Sequence, residues 1–459
     1  MNIILDKLLK LCYNLEKFYL FFTGADTMQV YDLIQKTVRQ EKLTKSEIQF
    51  LITNFTDNKI PDYMMSAWLM AVRCQGLTPE ETADMTLAMR DSGECLDLSP
   101  IGAITIDKHS TGGIGDKTTL MLAPIVASCG GYVPKMSGRG LGFTGGTIDK
   151  LESIPNFSVN LSKKDFFKQV QKIGCCIIAQ SGNLTPADKK IYALRNLTAT
   201  VDSIPLICAS IMSKKLALGA DCLLLDVKYG NGAFMKTPES AKALAKSMLQ
   251  VGTAHGKKCR ALITDMNAPL GFAVGNALEV REAISILRFE THNALTELVL
   301  ELAGQMLELS GAGNLQECKF KAFHALESGK ALEKFAEMIT AQGGDASIID
   351  NPERLPHAKC SKIMFADKNG YLASINSEEV GLACLTLGAG RTASNPRIDF
   401  GAGVIFLHKI GDEIRKNDIL CEIHASSETL CEQAEQRLRS AMVISEMPVP
   451  EPQLIYDKI

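Results

Sequence analysis

Apolar and polar positions change their period twice along the chain. From Met28 to about Leu96 apolar residues recur at helical spacing, as at Ile48, Leu51, Ile52 and Phe55, the repeat that lines one face of an amphipathic helix. Two start signals punctuate the stretch. Thr44 with Glu47 makes a capping box, and Thr78-Pro79 with Glu81 makes a second with proline at the first helical position. A helical domain over 28–97 is therefore predicted. Ahead of it, the apolar run of residues 1–27 is broken by Asp6, Lys7, Lys10, Glu16 and Lys17. Those charges exclude a clean membrane-spanning helix, and the segment is expected to be an N-terminal extension before a start near Met28.

After Leu96 short apolar runs alternate with helical stretches. Ile104 to Asp107 reads as a strand, Thr118 to Cys129 as a helix, and Gly131 to Met136 as a second strand. Ala220 to Val227 and Cys259 to Asp265 are further strand-type runs on either side of a helical Pro238 to His255. That alternation predicts an α/β domain with a largely parallel sheet over 98–183 and 218–355. Between its two parts, helices over 184–217 start at Thr185-Pro186 and at Pro205, and are expected to fold back onto the helical domain as its second segment. Helices resume from Asn276 to about Gln342.

From Ser361 the texture becomes short β-like segments punctuated by glycine, as in Gly401 to Ile423. A C-terminal α+β subdomain of barrel-sandwich type is predicted over 356–459. It lacks a Met-Lys-Met hairpin with a modifiable lysine, so a structural module is favoured over a carrier. The overall expectation is an α/β protein with a separate small all-α domain.

Two glycine-rich loops carry the chemistry: KHSTGGIGDKTT over Lys108 to Thr119 and SGRGLGFTGGTIDKLE over Ser137 to Glu152. Glycine lets main-chain N–H groups approach an oxyanion, and a helix start adds a favourable dipole. Lys108, His109, Ser110, Thr119, Ser137 and Thr147 supply charge and hydroxyl donors, so phosphate is the expected guest. Taken singly, each is unremarkable; a lone histidine is more often a core or surface imidazole. Arg139 reads equally well as a loop salt-bridge partner. Ser210 and Lys214, four apart on the helix that Pro205 starts, share one face, though such pairs are common on exposed helices.

Composition removes other classes. A formal charge of -3 with 22% charged residues gives no electrostatic reason to expect nucleic acid or an acidic membrane. The fourteen cysteines include no CxxC, and Cys175-Cys176 is their one close pair, so reduced thiols in the cytoplasm fit better than a zinc or disulfide framework.

Six ordered segments, KHSTGGIGD, MSGRGLG-TGGT-DKLE, SGNLTPADKKIYALR, SIMSKKLA, GNGAFMKT and PLGFAVGNALEV, together resemble the thymidine/pyrimidine-nucleoside phosphorylase family, from about Met28 almost to the C-terminus. The pattern is most similar to the bacterial pyrimidine-nucleoside phosphorylases. The resemblance implies a homodimer whose two domains close on a pyrimidine nucleoside and inorganic phosphate, the co-substrate, with no organic cofactor. It implies phosphate binding by Lys108, Ser110, Thr119, Ser137 and Thr147, flanked by Lys135 and Met136, with His109 adjoining. Arg195, Ser210 and Lys214 match the positions that bind the pyrimidine ring, and His109, Arg195 and Lys214 would serve catalysis. A potassium site is implied at Gly115, Lys117, Leu270, Ala273 and Glu282. Lys117 departs from the family's usual threonine, and its ammonium competes for the cation's place beside Glu282. Phe143 departs from a frequent histidine.

The expected reaction is reversible phosphorolysis of uridine, thymidine and deoxyuridine by a pentosyltransferase. The departing base would carry negative charge and the sugar oxocarbenium character, so cationic donors must face the base and an anion must lie beneath the sugar. A strict thymidine phosphorylase is the nearest alternative. A non-catalytic nucleoside-binding regulator is a rival of another class. An anthranilate-type phosphoribosyltransferase would need an acidic pair for magnesium beside the loops, which the sequence lacks. The glycines of Tyr229 to Ala233 are expected hinge positions for domain closure.

Overall fold

The structure, a computed structural model, describes residues 28–140, 145–180, 183–391 and 397–459. Phe143 and the N-terminal extension lie outside the described residues. Four helices, Val30–Val38, Lys45–Thr56, Asp62–Gln75 and Pro79–Arg90, form the first bundle. Both capping boxes form: Thr44 and Thr78 each accept the N–H of the third helical residue while Glu47 and Glu81 bond back. The shared core buries Ile48, Leu51, Ile52, Phe55 and Trp68, all at 0% exposure, and takes in Ala187, Ile191, Leu206 and Ala209. Those last four belong to the helices Pro186–Leu197 and Ile204–Leu218.

The central sheet holds β1 (Ile106–Ser110), β4 (Cys222–Tyr229), β5 (Lys258–Asp265) and β13 (Ile455–Lys458); β2 (Val133–Ser137) and β3 (Cys175–Ala179) form a parallel pair. A parallel bridge between Thr105 and Tyr132 brings β2 alongside β1. Strands β1, β4 and β5 run parallel, and β13 adds an antiparallel edge. The crossover helices, Thr118–Ser128 between β1 and β2 and Pro238–Ala254 between β4 and β5, are what parallel pairing demands. The carboxyl ends of β1 and β2 both open into the glycine-rich loops, where ligands of open α/β sheets collect.

The C-terminal part is stitched to this domain by β6 (Ala273–Val274), which pairs with β9 (Gly403–Phe406) in an antiparallel sheet completed by β11 (Ile419–Ala425) and β7 (Cys360–Phe365). A second small sheet joins β10 (Glu413–Ile414), β8 (Gly370–Ile375) and β12 (Met442–Ser445). Gly403, at φ +153°, permits the junction, because a Cβ there would sit 2.2 Å from the Val274 carbonyl oxygen.

The expected hinge at Tyr229 to Ala233 is not a domain crossing. Asn231 donates to the Asn267 carbonyl and accepts from Ser377 N–H, and a Cβ at Gly232 would lie 2.5 Å from the Ser377 side chain. The segment therefore packs the α/β domain against the C-terminal part. The chain passes between the helical and α/β parts elsewhere, near residues 97, 183 and 217, where Glu94 N–H bonds the Asn183 carbonyl and Leu96 N–H bonds that of Ala217.

Phe55 fills the helical core at 0% exposure, so Phe55→Ala is expected to cost about 3–5 kcal/mol. Urea unfolding followed by fluorescence of Trp68, the chain's one tryptophan, should show its midpoint moved to lower urea. An unmoved midpoint would contradict this packing.

Candidate active site

A ladder of charges inside β1 and β4 sets the site. Lys108 Nζ lies 2.9 Å from Asp226 and 3.9 Å from Asp116, and donates to Thr118 Oγ1 at 2.7 Å. Lys228 reaches Asp226 at 2.9 Å from the next inward position of β4. One residue back in β1, Asp107 takes Lys135 at 3.1 Å and Lys215 at 2.7 Å. All of these except Asp116 are nearly inaccessible, at 7% exposure or less. Charges buried this deeply persist only when paired and hydrogen-bonded.

Burial opposes the charge of Lys108, yet Asp116 and Asp226 raise its pKa. Burial likewise works against the carboxylates, but Lys108 and Lys228 hold Asp116 well below, and Asp226 below, the usual range; Lys135 and Lys215 do so for Asp107. Four lysines face three aspartates, leaving one surplus positive charge under the loops when all four are protonated. Its loosest holder is Lys135, which burial pushes down to about 7 against the pull of Asp107.

Above this ladder the two loops are tied together. Lys135 donates to the Lys108 carbonyl. Ile148 N–H bonds the Gly138 carbonyl at 3.4 Å, placing Thr147, first residue of the helix Thr147–Glu152, beside the end of β2. Lys150, fully buried, donates to the Asp116 carbonyl at 2.8 Å and pairs with Glu279 at 3.0 Å. Ser110, Thr119, Ser137 and Thr147 are all partly exposed at these loop ends. Ser110 Oγ accepts Gly112 N–H at 3.2 Å, closing the turn where Gly112 adopts φ +94°.

Met136 does not join them: its side chain is buried in the apolar cluster with Leu98, Phe166 and Val170, and its carbonyl accepts from Lys215 at 3.3 Å. Arg139 makes the loop salt bridge, with Glu152 at 2.8 Å and Asp149 at 3.5 Å.

The helix Ile204–Leu218 faces both domains. Lys214 turns to the helical side, bonding Asp188 and, at 2.9 Å, Ser210 Oγ. Lys215, about 100° further around the helix, turns to Asp107 in the sheet. Arg195 is 1% exposed and donates to the carbonyls of Thr200 at 3.0 Å, Leu206 at 3.0 Å and Val201 at 2.6 Å. These bonds hold the turn in which Ala199 adopts φ +54°, a left-handed conformation unfavourable for a non-glycine residue. Three of the five guanidinium N–H groups are thus engaged. Burial lowers the Arg195 pKa to about 10, against the pull of Tyr192.

His109 stands at the end of β1, partly buried. Burial, followed by the charges of Lys215, Lys135, Lys214 and Lys108, holds its pKa well below the ordinary histidine value. At neutral pH it is a neutral imidazole with one N–H to donate.

The residues missed by sequence reasoning are the counter-charges: Asp107, Asp116, Asp188, Lys150, Lys215, Asp226, Lys228 and Glu279. A signal for two was present, since Asp226 and Lys228 interrupt the apolar run CLLLDVKY, and a charge inside a buried strand demands a partner. A separate cleft of about 820 Å³ lies at the opposite ends of the strands, by Ala103, Ile104 and Asp221, and contains none of these groups. Among the described residues no group of three or more His, Cys, Asp or Glu side chains could hold a metal, and no helix is long and apolar enough to cross a membrane.

Comparison with known proteins places similarity along almost the whole chain. The glycosyl transferase family helical bundle domain matches residues 31–93, the glycosyl transferase family a/b domain residues 102–332, and the pyrimidine nucleoside phosphorylase C-terminal domain residues 371–445. The pyrimidine-nucleoside phosphorylase of Geobacillus stearothermophilus is 50% identical over 94% of this chain and 100% of its own length. That of Bacillus subtilis is 48% identical over 92% of this chain and 98% of its own. The crystal structure of anthranilate phosphoribosyltransferase from Thermus thermophilus superposes with a TM-score of 0.54 at 18% identity, over 69% of this chain and 99% of that one, a likeness of fold alone.

A histidine whose folded pKa lies below its unfolded value binds fewer protons when folded, so His109 makes stability rise with pH from that lowered value up to about 6.5 and fall as pH drops through this window. Ring-carbon NMR of histidine-labelled protein, with His109 assigned from a His109→Asn variant, should show a neutral ring at about pH 6. A ring half protonated at or above its unperturbed value would contradict this environment.

Proposed function

Because the chain belongs to the pyrimidine-nucleoside phosphorylase family, we propose that it catalyses reversible phosphorolysis of uridine, thymidine and deoxyuridine, giving free base and (deoxy)ribose 1-phosphate. The observation that carries this reading is the surplus positive charge beneath two hydroxyl-lined glycine loops, the surroundings that a tetrahedral dianion requires. In the proposed complex Ser110, Thr119, Ser137 and Thr147 donate to phosphate, and Lys108 and Lys135 supply its counter-charge from below.

Lys214 meets the pyrimidine ring from the helical side in this reading, with the buried Ser210 and Arg195 of the same part adding to it. As the C1′–N1 bond breaks, electrons pass into the ring and negative charge grows on its oxygens. Lys214 and Arg195 stabilise that charge. Neutral His109 donates a hydrogen bond to the ring oxygen at C2, one that strengthens in the transition state. A phosphate oxygen forms the new bond at C1′, so phosphate is both nucleophile and counter-charge to the sugar cation. Closure of the helical part over the loops keeps out water that would hydrolyse the same cation.

The family's activity is that of a pentosyltransferase using phosphate as co-substrate. We further propose a cytoplasmic homodimer. Every cysteine among the described residues is free, which fits a reducing compartment, and Tyr31, Tyr63 and Leu197 leave apolar surface exposed on the helical domain.

Incubation with uridine, thymidine and deoxyuridine, with and without inorganic phosphate, should release base only when phosphate is present. Release at the same rate without phosphate would overturn the reading. In the same assay His109→Ala should lower kcat by about 10²–10³-fold with little change in KM, the signature of an interaction made in the transition state; an unchanged kcat would remove His109 from the mechanism.

A further inference from the structure

The potassium site implied by the family resemblance fails a test of fit on this chain's own residues. Lys117 is 1% exposed, and its Nζ donates to the Leu270 carbonyl at 2.8 Å, the Ala273 carbonyl at 2.8 Å and Glu282 Oε2 at 2.6 Å. An ammonium has three N–H donors, and all three are used. The acceptors, two main-chain carbonyls and one carboxylate, are the oxygen donors that a hard monovalent cation would take. Glu282 is otherwise committed to the same loop, accepting Phe272 N–H at 2.7 Å and Ala273 N–H at 2.8 Å. One positive charge already balances its single negative charge, so a second cation would enter only against like-charge repulsion.

A second lysine closes the loop from its other side. Lys409, carried by the C-terminal part, donates to the carbonyls of Pro269, at 3.3 Å, and Gly271, with its ammonium 4.7 Å from the Phe272 ring centre. The carbonyls of residues 269, 270, 271 and 273 are therefore all held by ammonium groups of this chain. Gly115 allows the approach: it lies at φ +74°, and a Cβ there would sit 2.6 Å from the Leu270 oxygen.

We propose that Lys117 is a built-in monovalent cation: its ammonium takes the place of potassium, fixing the first glycine loop to the 269–275 loop, and makes the protein independent of alkali cations. Lys117 directly precedes the helix that begins at Thr118 and carries Thr119, so the tether sets the start of the phosphate-facing helix without a dissociable ion.

The test compares wild type with Lys117→Thr, which removes the ammonium and leaves an oxygen donor, and with Lys117→Met, which removes the charge and keeps the stem. Melting temperature is read in KCl and in choline chloride at equal ionic strength, and crystals of each protein are soaked in thallium(I), a potassium surrogate with a strong anomalous signal. Wild type should melt at the same temperature in both salts and show no thallium beside Leu270 and Ala273. Lys117→Thr should melt lower in choline chloride, recover in KCl, and bind thallium at those carbonyls and Glu282, while Lys117→Met should melt lower in both. A potassium-specific rise in wild type, or thallium at its Leu270 and Ala273 carbonyls, would overturn the proposal, as would a folded Lys117→Thr with neither response. Should Lys117→Thr not fold, the wild-type measurements decide. None of these readouts involves nucleoside, so their failure is separable from failure of the phosphorolysis reading.

Discussion

The pairing of Lys108 with Asp226 and Asp116 is the constraint on which the rest of the site depends. Lys108 sits in β1 and Asp226 in β4, so the pair fixes β1, whose end opens into the first glycine loop, to its neighbour in the sheet. Asp116 then draws the first glycine loop down onto the same ammonium, and its carboxylate also takes Thr118 N–H and hydroxyl, setting where the following helix begins. Removal of one partner from such a buried set costs about 3–5 kcal/mol, since the remaining charge is stranded. The loops above are held by charges that the ligand never needs to touch. What remains for an anion is the surplus of positive charge and the row of hydroxyls at the loop ends.

The helix Ile204–Leu218 links this ladder to the other half of the site. Its adjacent lysines serve different domains: Lys215 completes the Asp107 pair in the sheet, while Lys214 sits with Asp188 and Ser210 on the helical side. A base held by Lys214 and an anion held above Lys215 would therefore be positioned by one rigid element. The same placement bears on His109, whose imidazole feels Lys215, Lys135, Lys214 and Lys108 together after the effect of burial. Burial first, and the lysine field behind it, thus keep the histidine neutral, and this favours a hydrogen-bond donor over an imidazolium acid.

Much of this is legible in the sequence where a local rule decides. Capping boxes at Thr44 and Thr78, the crossover helix after β1 and the strand-type run ending at Asp265 follow from periodicity and turn chemistry, and the structure differs from those expectations by at most one residue at element ends. Strand β3, made by CCIIA, is not readable because five apolar residues after a helix fit either element. Strand β13 escapes because its place at the sheet edge comes from a pairing with β5 distant in sequence. Of the candidate site, the hydroxyls and lysines of the glycine loops are readable, since loop composition alone singles them out as anion donors. Their counter-charges are not, because Asp107, Glu279 and Lys150 are ordinary residues until the fold buries them face to face. Arg195 shows the opposite limit: its charge is evident, but its commitment to the carbonyls of the turn after its own helix depends on how that turn closes.

On the proposed function a tetrahedral anion sits between the two glycine loops over the buried lysine–aspartate ladder. A crystal structure of the protein with bound phosphate tests it most directly. The expected result is a phosphate in hydrogen-bond contact with Ser110, Ser137 and Thr147, with the Lys108–Asp226 pair intact beneath it. Phosphate bound elsewhere, with these three hydroxyls left to solvent, would rule out this placement of the anion.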